Sequence, residues 1–519
     1  RGACHPGTCL AIPAAGPGQA GAVPTGFDHV KALGVTHVQL LPVFDFVSVD
    51  EARVREPAYR ALREHGAFNW GYDPGNYAAP EGSYASDPAD GSCRVRELRQ
   101  LVQAYGQAGI GIIMDVVYNH VPDLRRSALE ACVPGYYFRG RRDSGAGDDT
   151  ASERFMFRRY MADTLCWWLK GYKLSGFRFD LMGLHDLKAM DYIETRLRAI
   201  KPDLLLYGEG WDMYKGGQKG FEPASQNNIA RLPGYGMFND AFRDGLKGSV
   251  FDAGQPGWIH EGAFAESVKF GLVGATRHLQ VNNRLVSGTA MPKPWSDRSA
   301  ASVNYVEVHD NLTLRDKLSL VEPGQGGEHY ARLTRLALSL ILTAQGMPLL
   351  HAGMEFLRSK RFPAEWLKDG LPDKAVSLPG GDACYCHDSY KFSDELNGLD
   401  WSLAVTHRDS VEYLRFLIAL RKRSPYLRLS SGADIRRLLR FHPSCTAVLS
   451  WGIAADRAGG LFIAANARDE AAPIRLPRGA WRLVADSAAA GFWPSGSGPF
   501  RRGRAEAPAK GALILEREA

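Results

Sequence analysis

Charged and polar side chains gather at the ends of four apolar runs: Asp115, Asn119 and His120; Arg178 and Asp180; Glu209; His309 and Asp310. Carboxyl groups set among such neighbours can do nucleophilic and general acid–base work on a bond held between them. Arg178 and Asp180 are two residues apart, so in a strand they point the same way. A guanidinium within about 4–6 Å keeps a carboxylate ionised, which a nucleophile needs. A purely structural Arg–Asp pair has the same spacing. Glu209 stands between Gly208 and Gly210, which leave little bulk beside its carboxyl and let backbone approach closely. Burying unpaired carboxylates is costly, and four charged strand ends in one chain are hard to explain as structure alone.

The elements that would position these residues alternate. His37–Val43 (HVQLLPV) reads as a buried strand. Gly109–Val117 follows the helical stretch Val95–Gln107, Ser175–Asp180 follows Tyr160–Lys173, and Leu204–Gly208 follows Ala189–Ile200. Val303–His309 and Pro348–Ala352 add two more strands. This alternation predicts a parallel sheet in an α/β fold, and the continuous apolar runs fit strands buried on both faces. Polar residues at strand ends then match a (β/α)8 TIM barrel, where sites form at the C-terminal ends of the strands. Leu333–Leu350 is apolar but interrupted by Arg335 and Gln345 and broken near Gly346 and Pro348. It reads as a buried helix feeding a strand, not a membrane span. After about residue 425 the texture changes. Thr446–Trp451, Leu461–Ala465 and Trp481–Ala485 look like short strands between turns, which predicts a small C-terminal β-sandwich. The expected organisation is a barrel over 1–424, with Arg361–Cys386 as a loop excursion, and a sandwich over 425–519.

The 519 residues, 45% of them hydrophobic, exceed what one core usually organises. The net charge is only +6, from 63 Lys and Arg against 57 Asp and Glu. Basic clusters such as Arg139–Arg142 and Arg501–Arg504 read as solvated loops. No continuous basic face with interleaved aromatics is present, which sets nucleic acid aside. Eight cysteines are too sparse for a disulfide framework, and the C-x-C of Cys384 and Cys386 lacks zinc spacing. Free thiols point to a reducing, cytoplasmic compartment. No secretory signal opens the chain, although it starts at Arg1. Oligomeric state is not legible.

DVVYNH (Asp115–His120), GFRFD (Gly176–Asp180), GEGW (Gly208–Trp211) and VHDN (Val308–Asn311) resemble the four signature regions of the α-amylase clan of glycoside hydrolases, in the same order. FNWGYDP (Phe68–Pro74) resembles the YNWGYDP signature of type I pullulanases, and GFRFDLMGLHD and YGEGWD fit that subfamily. The resemblance covers nearly the whole chain. It implies Asp180 as nucleophile, Glu209 as general acid/base, and Asp310 as a third carboxylate that binds and distorts the sugar and stabilises positive charge. It implies that His120 and His309 hydrogen-bond the sugar in the cleaved subsite. Tyr72 resembles the aromatic platform beneath that sugar, Trp211 a platform on the leaving-group side, and Asp115 and Asn119 shape-holding residues. Arg178 is the partner of the nucleophile. The implied activity is debranching: retaining cleavage of α-1,6-glucosidic bonds in pullulan, glycogen, amylopectin or limit dextrins. No cofactor is required, and calcium is not indicated. The alternatives are an α-1,4-acting or chain-transferring relative and a non-catalytic glucan-binding relative.

The chain departs from the family at several positions. Phe68 stands where members carry Tyr, Met354 where Gln is usual, and Arg315 where Trp is common. HDSY (His387–Tyr390) resembles an HNSY, with Asp388 replacing Asn. The first barrel strand has no counterpart before GTCLAI (Gly7–Ile12), and the carbohydrate-binding domain usual ahead of the barrel is not found. The expectation is therefore a barrel whose first strand is missing from this stretch.

Overall fold

The computed structural model describes Cys9 and residues 23–288, 293–378, 383–493 and 497–518. GTCLAI lies outside the described residues, Cys9 excepted. The chain divides into two compact units. The first reaches Met237 and takes in Tyr390–Asn397; the second holds Phe238–Ser389 and resumes at Gly398.

In the first unit, five parallel strands lie side by side in chain order: His37–Leu40, Gly111–Val116, Gly176–Phe179, Leu205–Gly208 and Tyr235–Phe238. Register places Asp115 beside Arg178, and Arg178 beside Tyr207. Helices Gly91–Gln107, Phe155–Tyr172 and Leu187–Arg198 alternate with these strands. Phe155–Tyr172 buries Phe157, Met161, Leu165, Trp168, Leu169 and Tyr172, a stripe at helical spacing. It starts earlier than the sequence predicts because Phe155 and Met156 are exposed and break that stripe. Gly91–Gln107 also starts early. Its N-cap Asp90 accepts from Ser92 N–H and supplies what Gly91 lacks in propensity. The strand Tyr235–Phe238 was not foreseen: four residues including a glycine give no period to read.

The second unit contains a short parallel pair, Ser302–Asn304 with Met347–Pro348. The helix Gly327–Thr343 precedes the latter strand and is buried on all sides from Leu333 onward, as expected for a helix feeding a strand. Its buried Arg335 pairs with Glu328 and caps the Ser487 and Ala488 carbonyls. Among the described residues no helix is long and apolar enough to cross a membrane.

The remaining sheets are antiparallel. Leu439–His442, Val448–Ile453, Leu461–Asn466, Gly511–Arg517, Trp481–Asp486 and Gly491–Phe492 lie in that order, and Ala472–Arg475 pairs separately with Arg504–Ala507. Phe462, Trp481 and Leu515 from the larger sheet share one apolar cluster with Ala472, Ile474 and Ala505 from the pair. The fold is thus α/β with added antiparallel sheets.

Candidate active site

One buried guanidinium organises the strand ends of the first unit. Arg178 Nη1 donates to Asp115 Oδ1 at 2.9 Å and to Asp180 Oδ1 at 3.0 Å. Its Nη2 donates to Glu209 Oε1. Asp180 Oδ2 accepts from Asn119 Nδ2 at 3.1 Å, so both of its oxygens face fixed donors. Glu209 Oε2 accepts the Leu181 N–H at 3.1 Å. That bond braces a turn in which Leu181 is forced to φ +37°, an unfavourable left-handed conformation for a side-chain-bearing residue. The strand therefore stops at Phe179, and Asp180 opens the turn.

The glycines beside Glu209 are sterically required. A β-carbon on Gly208 would stand 2.5 Å from the Phe179 carbonyl oxygen, and one on Gly210 2.3 Å from Met237 Sδ. Tyr72 arrives from the FNWGYDP loop. Asn69 Oδ1 accepts the Gly71 N–H, and Gly71 takes φ +90° against the Phe46 ring, where a β-carbon would not fit. The Tyr72 hydroxyl donates to Asp115 Oδ2 at 2.7 Å. His120 Nδ1 lies 3.0 Å from the Asn119 amide, which leaves the ring proton on Nε2. Burial pushes His120 down to about 4, so it is neutral. Burial also lifts Asp115 to about 6 against the pull of Arg178. Arg178 itself is desolvated, yet Asp115 and Glu209 hold it well above its ordinary value.

The structure thus brings Tyr72, His120, Arg178, Asp180 and Glu209 into one network. Trp211 lies two residues past Glu209 and is half-buried; its carbonyl oxygen packs on Gly183, where a β-carbon would be 1.9 Å away. Two members were missed by sequence reasoning. Gln39 Nε2 donates to Asp115 at 3.2 Å, and Tyr207 donates to Gln39 Oε1 at 2.6 Å. The signal was there: Gln39 is the one polar side chain between Val38 and Pro42 in an apolar strand.

His309 and Asp310 belong to the second unit. His309 Nε2 is 3.4 Å from Asp310 Oδ2, and the Asp310 side chain is 38% exposed. Behind them Glu307 is buried and accepts from Leu314 N–H and His351 Nδ1.

No protein-family model matches the chain. Similar proteins are nonetheless numerous. It is 39% identical to the pullulanase of Bacillus subtilis over 422 residues, which is 80% of this chain and 52% of that one. The type I pullulanase of B. subtilis, solved with maltose, superposes with a TM-score of 0.84 at 35% identity, covering 99% of this chain and 67% of the other. The pullulanase of Paenibacillus barengoltzii, solved with maltohexaose and α-cyclodextrin, gives 0.82 at 36%, covering 99% and 74%. The chain belongs to the type I pullulanase family. It spans about half of the B. subtilis relative, and 34% of pullulanase A of Streptococcus pneumoniae.

The departures from the family pattern are accommodated locally. Met354 is buried in the core. Arg315 lies over the Tyr330 ring at 3.9 Å, a cation–π contact in place of an aromatic one. Asp388 accepts from the Asn311 N–H at 2.9 Å.

One acidic group could be considered for a metal. Ligand atoms of Asp45, Glu51 and Glu81 lie within 4.8 Å of one another. However, Glu51 is paired with Arg94 at 2.6 Å, and Glu81 accepts the Phe46 and Ser83 N–H groups. Burial lifts Asp45 to about 6 and Glu81 to about 7. The oxygens of Glu51 and Glu81 already serve protein donors.

Proposed function

We propose that this chain is a retaining debranching glycoside hydrolase, cleaving α-1,6-glucosidic linkages in branched α-glucans such as pullulan, glycogen, amylopectin or limit dextrins. The observation that carries the reading is the Arg178 hub, which binds the carboxyls of Asp180 and Glu209 at adjacent strand ends. Retaining enzymes place their two carboxyls about 5–5.5 Å apart, a span that a shared guanidinium suits. Membership of the pullulanase family supports the choice of bond.

In this reading Glu209 protonates the leaving glycosidic oxygen while Asp180 attacks the anomeric carbon. The covalent glycosyl intermediate is then hydrolysed by water, with Glu209 as base. Asp310 is the third carboxylate, stabilising the oxocarbenium-like charge. Neutral His120, carrying its proton on Nε2, donates to the sugar, as does His309. Tyr72 lies beneath that sugar and Trp211 on the leaving-group side. The reading extends to a (β/α)8 barrel over 1–424 and a β-sandwich over 425–519; the apolar cluster shared by the two antiparallel sheets supports the latter. The chemistry uses no cofactor and no metal. The free cysteines among the described residues favour a cytoplasmic setting.

Proton NMR of pullulan hydrolysis tests the mechanism. The first-formed reducing end should be the α-anomer. Initial release of the β-anomer would rule out double displacement.

A further inference from the structure

Asp388 does more than fill the place of an asparagine. Its Oδ1 accepts the Asn311 N–H, and its Oδ2 meets His387 Nδ1 at 2.7 Å. The other ring nitrogen of His387, Nε2, faces the Val250 carbonyl oxygen at 3.1 Å. A carboxylate and a carbonyl only accept. Both ring nitrogens must therefore donate, which requires the imidazolium.

The pair joins two irregular segments. Asn311 follows Asp310 directly and takes φ +60°. The turn that carries His309 and Asp310 is held by side chains. Buried Lys360 donates to the carbonyls of His309, Asn311 and His387, and buried Lys247 donates to that of Leu312 at 3.0 Å. On the other side, Lys317 donates to the Ser249 and Asp252 carbonyls of the loop that contains Val250. The next residue in that loop, Phe251, is 91% exposed, an aromatic face held out to solvent on a pinned backbone.

We propose that His387 and Asp388 are positioning residues of the glucan site, an imidazolium–carboxylate clamp that fixes the turn bearing His309 and Asp310 against the Phe251 loop and opens when the ring loses a proton. The inference rests on the role given above to Asp310. Its sign follows from the bonds. Loss of either ring proton sets a bare nitrogen against an acceptor, so the clamp is closed at lower pH and opens as pH rises. Asp388 favours the closed state. Charged groups around the pair include Lys360, with Arg358 and Asp316 near it, Asp373 and Lys374 on the segment whose Lys374 carbonyl accepts the His387 N–H, and Lys317, with Asp252 beside it, on the Val250 loop.

The variant Asp388→Asn reverses that sign. Its amide oxygen still accepts the Asn311 N–H, while its NH2 group donates to Nδ1 of a neutral ring whose Nε2–H still reaches Val250. That clamp closes on the neutral ring and opens in acid. The experiment measures kcat and KM on pullulan across pH for the native protein and Asp388→Asn. We expect native kcat/KM to fall on the alkaline side, by about tenfold per pH unit for a single proton, and the variant to fall on the acid side instead. Matching profiles would overturn the clamp. Ring ¹⁵N shifts of His387 in the native protein, assigned by their loss in His387→Gln, give a second measurement that does not depend on the variant folding. A doubly protonated ring at the pH of activity supports the proposal, and a neutral ring overturns it. Asp310→Asn separates the two readings. If it turns over normally, the role of Asp310 fails; if it is inactive while the native and Asp388→Asn profiles coincide, only the clamp fails.

Discussion

Arg178 shows how a single side chain can set the electrostatics of a site. Three carboxyls share it, and it is 1% exposed. In a low-dielectric setting that charge is worth far more than in water, and the guanidinium fork suits several acceptors at fixed angles. Asp180 is held by Arg178 through one carboxylate oxygen and by Asn119 through the other. Replacing Asp180 with Asn keeps the shape but gives a very poor nucleophile. We expect Asp180→Asn to lose several orders of magnitude in kcat while glucan binding, measured by calorimetry, is largely kept. Near-normal kcat in the verified variant would remove Asp180 from the role. At this scale the sequence was informative wherever chemistry implies residue type: Arg178, Asp180 and Glu209 are recognisable as charges ending apolar runs. Gln39 left a signal as the one polar side chain of an apolar run, whereas Tyr207 and Lys360 were not legible, because their roles lie in pairings with residues distant in the chain, and no periodicity marks such a pairing.

At the scale of elements, the strand–helix alternation could be read because it depends on local burial, and burial leaves a pattern. The ends of elements could not. Gly91 begins a helix only because Asp90 caps it, and Phe155 begins one despite its exposure. The predicted strand Val303–His309 shrinks to Ser302–Asn304, because the residues beyond it bend into the turn that Lys360, Lys247 and Asp388 hold. Close packing at strand ends yields a sharp expectation at Gly208. A β-carbon there would meet the Phe179 carbonyl at 2.5 Å and Met182 Cβ at 3.0 Å. Backbone must move, and the strand ends that carry Asp180 and Glu209 move with it. We expect Gly208→Ala to cost about 1–3 kcal/mol of stability and to lower kcat/KM at least tenfold, since a small misplacement of catalytic groups is expensive. Unchanged melting together with unchanged kinetics would show that the strand end tolerates the shift.

For the molecule as a whole, stability and pH are linked through buried groups that the active site only partly contains. His185 is fully buried, and burial pushes it down to about 3. In the unfolded chain it titrates near 6.5. The native state therefore holds it neutral, and its contribution is present above about pH 6.5 and is lost as pH falls towards the folded value. Asp115, Asp45 and Glu81 are shifted upward and act in the opposite sense over part of the same range. The clean observable is thus a difference. The stability gap between the native protein and His185→Leu should change by about 1.4 kcal/mol per pH unit between about pH 6.5 and 4, in favour of the variant as pH falls. Urea unfolding at stepped pH measures it, and a constant gap would contradict the neutral assignment.

The central claim concerns the bond that is cut, and one incubation tests it most directly. The protein is given pullulan and, separately, linear amylose, and the products are identified by chromatography and mass spectrometry. Cleavage confined to α-1,6 bonds releases maltotriose from pullulan and leaves amylose intact; this is the result we expect. Amylose shortened to smaller maltooligosaccharides, or redistributed into longer chains, with no maltotriose from pullulan, would contradict it.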